Sequence, residues 1–534
     1  MPSVQAATVP MAKASAAEED TKGMAATLLS LLRAATLEES AAAAATAAGD
    51  EEEKTASGRS LRYIEDYLVN EVLPFYGNTH TEDSHVGSKT TRLVHKASRY
   101  VKRCMGTGAG DALIFCGAGT TAAIKRLQEV MGVASPSAEL RERLAAQLRT
   151  EERWVVFVGP YEHHSNLLSW RRSLADVVEI GVDDDGLVDV AALRRALASP
   201  EFANRPMLGS FSACSNVTGV MTDTRQLATV LHEHGAFACF DFAARTLVLK
   251  RNFIITVILL YETIPNVFRS GPYVKIDMKS GEMDGYDAVF LSPHKFVGGP
   301  GTPGILLMNK ALYRLSSQPP STCGGGTVAY VNGFSEKDTI YYDDIEERED
   351  AGTPPILQKI RASLALWVKE YIGYDTMSLR ERVYSEMAME RLVSNPNGYS
   401  GLKPGWTRLS FSYYLSKEEF KFVLAAIEFI ASYGHRFLSL YKFDWITGDW
   451  TFRKQAIKYR IMTEELALPT ALDLLGEHGE SKLADKLEKK YGEYHRFESY
   501  LESAKKIALS LPAISHQAVT IPTGVDPDLV LFHI

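Results

Sequence analysis

The sequence predicts an α/β protein built on a mostly parallel sheet, and three observations carry that expectation. From Asp111 onward, short apolar runs alternate with amphipathic helical stretches, which is the rhythm of βα units. The polar residues with chemical potential fall just after those runs, at the carboxyl ends of strands, where open parallel sheets gather functional groups. At 534 residues, 46% hydrophobic and 23% charged, the chain can bury a sizeable core and form more than one domain.

Residues 1–54 are rich in alanine and acid, end in Asp50-Glu51-Glu52-Glu53-Lys54, and read as a disordered, low-complexity arm with no catalytic role. Glu18, Glu19 and Asp20 run against the acid-poor, arginine-rich pattern of a transit peptide, so a cytoplasmic protein is expected, with organellar targeting left open. Globular patterning begins near Gly58. A helix is expected from Leu61 to Val72, then the irregular Tyr76-Gly77-Asn78-Thr79-His80, then a helix from Ser88 to Arg103. The expected strands are Ala112 to Phe115, Trp154 to Val158, Val177 to Val182, Met207 to Ser212, Ala236 to Phe242, Ala288 to Leu291 and Gly304 to Met308. Helices fall between them at Thr121 to Met131, Ala191 to Ala198 and Thr224 to His234, and later at Ile356 to Tyr371 and Leu379 to Val393.

A net charge of −8 and the lack of a basic patch exclude a polyanion partner such as nucleic acid. The longest apolar run, Phe253 through Tyr261, is far short of the about 20 residues of a membrane span. Five cysteines without zinc-type spacing argue against disulfides and a structural metal, and suit a reducing compartment.

Lysine is the pivot of the candidate site. Ser292-Pro293-His294-Lys295-Phe296-Val297-Gly298-Gly299-Pro300-Gly301 places Lys295 between a strand and a glycine-rich turn, where it is either a surface lysine or one that forms a Schiff base. Gly117-Ala118-Gly119-Thr120-Thr121 follows a strand and opens a helix, as a phosphate cradle or a plain tight turn would. His163, in Tyr161-Glu162-His163-His164, could stack on a flat heteroaromatic ring or be satisfied by loop hydrogen bonds. Asn216 follows the fourth run. Asp241 ends an apolar strand, where a carboxylate is costly unless it meets a cation or caps the next helix.

In the order phosphate loop, stacking histidine, asparagine, aspartate, lysine, these motifs resemble the class V aminotransferase and cysteine desulfurase family of pyridoxal-phosphate enzymes, over residues 55 to 431. The resemblance implies the aspartate aminotransferase-like pyridoxal-phosphate transferase fold, a homodimer, pyridoxal 5'-phosphate as cofactor and a small amino-acid substrate. It implies that Lys295 carries the cofactor, Asp241 pairs with the pyridine nitrogen, His163 stacks on the ring and Asn216 meets the ring hydroxyl. Thr120, Thr121, Ser292 and His294 would hold the phosphate, with Thr327 of Gly324-Gly325-Gly326-Thr327 from a neighbouring subunit. Arg408 would grip the substrate carboxylate, a task suited to a planar bidentate donor, with His80 beside it. Transamination and cysteine desulfurase or lyase-type chemistry are both within this family, and a catalytically inactive fold or a defective splice product with a scaffold role is the alternative.

The resemblance divides the chain into the arm 1–54, a large cofactor-binding domain 55–335, a smaller α+β domain 336–435 and a helical extension and tail 436–534. The smaller domain reads as truncated near 394–401, where several strands and the sulfur-accepting cysteine loop of desulfurases are expected; no cysteine follows Cys323. Within the large domain, residues 245–270 are an apolar, β-prone insert between Asp241 and Lys295, unlike the polar chemistry of ordinary loops. We read this insert as translated intron sequence. Sequencing the transcript across codons 244 to 271 is expected to find mature messages without it; its presence in every message contradicts the reading.

Overall fold

The computed structural model describes residues 57–80, 83–216, 219–243, 276–393, 415–437, 440–443, 450–452 and 497–511. The arm 1–54, the insert 245–270, the junction 394–401, Arg408 and the tail from Pro522 lie outside them. Two compact units divide the chain: Met1–Thr246 with Gly271–Met377, and Leu247–Ser270 with Ser378–Ile534.

In the first unit, seven strands form one sheet: β1 (Asp111–Cys116), β2 (Val155–Val158), β3 (Asp176–Glu179), β4 (Met207–Ser212), β5 (Phe237–Asp241), β6 (Ala288–Leu291) and β7 (Gly304–Asn309). Their order is β1-β7-β6-β5-β4-β2-β3, and β7 alone runs against the others. This is the mostly parallel α/β sheet that the sequence predicts. Both faces are covered, so successive residues of each strand enter different cores. Val155, Phe157, Phe240, Val289 and Leu291 pack on one side. Val156, Val158, Cys239, Ala288 and Phe290 pack on the other. The strands therefore read as unbroken apolar runs rather than as alternating ones.

Helices α1 (Arg62–Tyr67), α2 (His85–Cys104), α3 (Gly119–Val130), α4 (Ala138–Ala145), α5 (His164–Arg171), α6 (Val190–Leu197), α7 (Thr224–Glu233), α8 (Ile345–Arg348) and α9 (Ile356–Ile372) complete this unit. The helix expected from Leu61 to Val72 is α1 continued by a π-helical turn over Leu68–Val72. Ser84 caps α2 through its hydroxyl, which accepts the Gly87 amide at 3.0 Å, and Asp223 does the same for α7 by accepting the Gln226 amide at 3.0 Å. A hairpin of β8 (Val328–Asn332) and β9 (Ser335–Tyr341) carries exposed Tyr330, Val331, Phe334 and Ile340.

The second unit holds α10 (Tyr374–Val393), which begins at the unit boundary, and α11 (Lys417–Phe437). Ser416 and Glu419 form a reciprocal capping box at the start of α11: the Ser416 amide donates to the Glu419 carboxylate at 2.7 Å, and the Glu419 amide to the Ser416 hydroxyl at 3.0 Å. Tyr384 stacks on Phe420 with ring centroids 4.6 Å apart, joining the two helices. Among the described residues, no helix is long and apolar enough to cross a membrane.

At the amino-terminal edge of the large sheet, His232 of α7 faces the Met283 carbonyl at 2.9 Å and Asp287 Oδ2 at 2.8 Å. Both ring nitrogens donate in that geometry, so the Asp287 carboxylate raises the His232 pKa above the ordinary imidazole value. The resulting stabilisation is complete below the unfolded-state pKa and is lost as pH rises through the folded one. His232→Gln is expected to cost about 1 kcal/mol of unfolding free energy at about pH 5.5 and less at about pH 8.5, measured by urea unfolding.

Candidate active site

The carboxyl edge of the sheet gathers the polar residues of the first unit. β1 ends at Cys116 and turns through Gly117 into α3, and β2 ends at Val158 before the Tyr161–His164 loop. β5 ends on Asp241, and β6 leads into a short 3-10 turn, Pro293–Lys295. These are neighbouring or near-neighbouring strands, so residues far apart in sequence meet along one edge.

Thr120 and Ser292 join the first of these loops to the last. The Thr120 amide donates to Ser292 Oγ at 2.9 Å, and the two hydroxyls pair at 2.8 Å. Both residues are buried. Gly119 sits between them with φ +57°, and a Cβ there would come within 2.8 Å of both His294 Cε1 and Ser292 Oγ. Only glycine leaves this concavity open and adopts that backbone without strain. Thr121 Oγ1 pairs with Ser165 Oγ at 2.6 Å, and Ser165 Oγ lies 3.0 Å from His163 Nδ1.

His163 caps α5: its Nδ1 accepts the Ser165 amide at 3.1 Å. Nδ1 is therefore the acceptor and the neutral ring carries its proton on Nε2. Burial lowers the His163 pKa, and Lys295 and His164 lower it further. His294 is lowered by burial and by Lys295 as well. Asp241 is buried at the end of β5, and loss of solvation pushes its carboxyl up to about 6, against the amide of Ala243 at 2.7 Å and the charge of Lys295. Lys295 is thus within electrostatic reach of Asp241, His163 and His294.

The Lys295 loop is held from outside the sheet. The His294 carbonyl accepts the Gly58 amide at 2.9 Å, and the Arg59 carbonyl accepts the Gly298 amide at 2.7 Å. A Cβ on Gly58 would run into the Phe296 carbonyl. Asn216 lies in the turn beyond the Cys214–Met221 bridge. Thr327 is fully buried, and its hydroxyl donates to the Gly324 carbonyl at 2.7 Å within the same chain. Exposed His80 has φ 63°, and its ring packs on Gly326, about 3.0 Å from where a Cβ would stand. Thr327 and the His80 ring thus both meet the Gly324–Gly326 turn, and Arg408 is not among the described residues.

Sequence reasoning passed over Glu162. The Glu162 carboxyl accepts from the amides of Gly159 at 3.2 Å and Ser212 at 2.9 Å, from Ser212 Oγ at 2.7 Å and from Asn166 Nδ2 at 2.5 Å. Burial lifts it to about 7, opposed by those hydrogen bonds and assisted by the charge of Asp241. A glutamate next to two histidines reads as a surface residue; only the pairing of β2 with β4 encloses it.

The profile of the family described as aminotransferase class-V matches residues 55–253 and 272–435. The chain belongs to this family. The unmatched stretch 254–271 overlaps the insert read at 245–270. Probable cysteine desulfurases of Halalkalibacterium halodurans and Staphylococcus aureus are 23% and 24% identical, over 60% and 62% of this chain and 66% and 67% of theirs. A probable cysteine desulfurase of Streptomyces coelicolor, 23% identical, is matched over 47% of this chain and 51% of its own length. The chain thus spans between half and two thirds of these relatives. Among solved structures, a cysteine desulfurase of Thermococcus onnurineus superposes with TM-score 0.53 at 18% identity, over 71% of this chain and 94% of that one. One of Escherichia coli gives 0.50 at 19%, over 70% and 92%. The class-V fold is therefore that of the present sheet.

Gly119→Ala is expected to cost about 1–3 kcal/mol, from the left-handed backbone and the contact with His294 and Ser292, measured as a lowered urea midpoint.

Proposed function

We propose that this class-V aminotransferase family member is a pyridoxal-phosphate enzyme that activates an amino acid at Cα. The observation that carries the reading is the convergence on Lys295 of Asp241, His163 and His294, beside a concavity at Gly119 rimmed by hydroxyls.

The residues fit the cofactor part by part. Hydroxyls of Thr120, Thr121 and Ser292 and the His294 ring, at the opening of α3, suit a phosphate. Asp241, buried with a raised pKa, suits a protonated pyridine nitrogen, which would restore its charge. His163, held by its Nδ1, suits a ring face, and Asn216 the ring hydroxyl. Lys295 would hold the carbonyl carbon through Nζ.

When bound, pyridoxal phosphate supplies an electron-withdrawing ring that stabilises negative charge at Cα. The protein's own tasks are positional and protonic. Asp241 keeps the pyridine nitrogen protonated, and His163 fixes the ring plane. Lys295 Nζ, once free, takes the proton from Cα as base and returns it as acid. Arg408 and His80 are assigned to the substrate carboxylate.

We assign the working form as a homodimer in the cytoplasm. The exposed apolar side chains of the β8–β9 hairpin suit a subunit contact, and Thr327 at its base would then serve the neighbouring phosphate. The relatives' names point to cysteine as one substrate. Sulfur transfer through a protein thiol has little support in this chain: Cys104, Cys116, Cys214 and Cys239 are buried, and exposed Cys323 lies 3.7 Å from the Tyr341 hydroxyl. Amino-acid chemistry without a protein persulfide is the reading favoured here.

Purified protein with added pyridoxal phosphate is expected to show a visible absorption band that amino acids perturb and that Lys295→Ala abolishes. A colourless wild-type protein contradicts the reading and supports an inert fold. Formation of alanine from cysteine with the sulfur held as a protein persulfide, set free as sulfide by an added thiol reductant, contradicts the disfavoured role of a thiol.

A further inference from the structure

Glu162 has no part in the roles assigned above, yet it is tied to three elements of the site. Its Oε1 accepts the Gly159 and Ser212 amides, and its Oε2 accepts Ser212 Oγ and Asn166 Nδ2. Ser212 is the last residue of β4 and stands in register with Asp241 on β5. Asn166 belongs to α5, the helix capped by His163.

The far side of the network is as tightly built. Asn166 is fully buried; its Nδ2 also donates to the Ser210 carbonyl at 3.0 Å, and its Oδ1 accepts from Ser210 Oγ at 2.7 Å and Trp170 Nε1 at 3.0 Å. Ser212 is pinned from the other side by Thr222 Oγ1, which donates to its carbonyl at 2.8 Å. A glutamine there keeps an oxygen for the two main-chain amides on the Oε1 side and loses the acceptor for Asn166 Nδ2 on the Oε2 side.

We propose that Glu162 is a positioning residue of the active site: its carboxyl clamps the His163 loop and α5 onto the end of β4, the strand end paired with Asp241. The proposal rests on the pyridoxal-phosphate reading for its consequence, and on these hydrogen bonds for its geometry. Two carboxyls in one buried neighbourhood resist simultaneous ionisation. The charged groups that act on this pair are the two carboxyls themselves and Lys295 from the loop after β6. Both carboxyls are pushed upward mainly by burial, Glu162 to about 7 and Asp241 to about 6, so their protons exchange in the range where the enzyme would work.

Asp241 must be ionised to pair with a pyridinium, so cofactor affinity falls as pH drops through its titration. Glu162 takes up its proton before Asp241 titrates, so the charge of Asp241 raises Glu162 and Glu162 is neutral while Asp241 loses its charge. In Glu162→Gln the acid limb of pyridoxal-phosphate affinity is therefore expected to stay within about a quarter of a pH unit of wild type. Glu162→Ala, which loses the clamp, is expected to bind the cofactor at least about tenfold more weakly at pH 8. Glu162→Asp, too short to span the four donors, is the variant to use where Glu162→Ala does not fold, with a loss in the same direction.

The cofactor-free protein supplies a separate readout. Amide hydrogen exchange at Gly159 and Ser212 is expected to quicken in Glu162→Ala or Glu162→Asp and to stay near wild type in Glu162→Gln. Unchanged amide exchange in the shortened variants overturns the clamp, and an acid limb displaced in Glu162→Gln overturns its purely positional role. Wild-type protein that binds no pyridoxal phosphate at any pH, like Lys295→Ala, marks the failure of the functional reading instead; the exchange measurement still decides the clamp.

Discussion

The burial of Asp241 is the constraint around which the large unit is arranged. It is the last residue of β5, a strand in the middle of a sheet covered on both faces. Water does not reach its carboxyl, so its charge has to be met by the protein or by a ligand. The protein offers one backbone amide and the field of Lys295, and these do not offset the loss of solvation. A carboxyl in that condition is held toward its neutral form, and a cationic ligand at the strand end would restore its charge.

Lys295 answers the same constraint from the next strand. Its short helical turn is fixed by contacts that only glycine permits: the Gly58 amide on the His294 carbonyl from the amino-terminal side, and Gly119 open against His294 and Ser292 from the phosphate side. Substituents at these positions would press on the loop rather than on solvent. The three loops are therefore preorganised against one another through main-chain contacts. The hydroxyls of Thr120 and Ser292 pair with each other at the same point, and the entropic cost of assembling these loops is met during folding.

The sheet was legible because two-sided burial leaves a simple trace. A strand that feeds both cores carries few polar residues, most of them at its ends, and all seven appear as apolar runs whose ends coincide with the observed ends to within a few residues. The helices α4 and α5 leave no such trace. Residues His164 to Arg171 bury only Asn166 and Trp170, one of them polar, so no apolar stripe marks the helix. The β8–β9 hairpin exposes its apolar residues, which reverses the pattern that identifies strands in a monomeric sequence. Lys295, Asp241, Ser292 and Thr120 were recognisable by position after a strand. Glu162 was not, because its burial depends on Ser212, a residue two strands of sequence away that meets it only through the parallel pairing of β2 with β4.

This contrast bears on how the site divides its work. Residues visible in the sequence are those whose chemistry is unusual for their position: a lysine in a glycine-rich crest, an aspartate on an apolar strand. The supporting residues have ordinary chemistry in an unusual environment. Glu162, Asn166 and Ser212 would pass unnoticed on a surface, yet together they join the helix capped by His163 to the strand beside Asp241. A buried polar network of this kind is stabilising only when every member is satisfied. Its donors and acceptors are matched around Glu162, between the helix capped by His163 and the strand paired with Asp241, the two residues assigned to the cofactor ring.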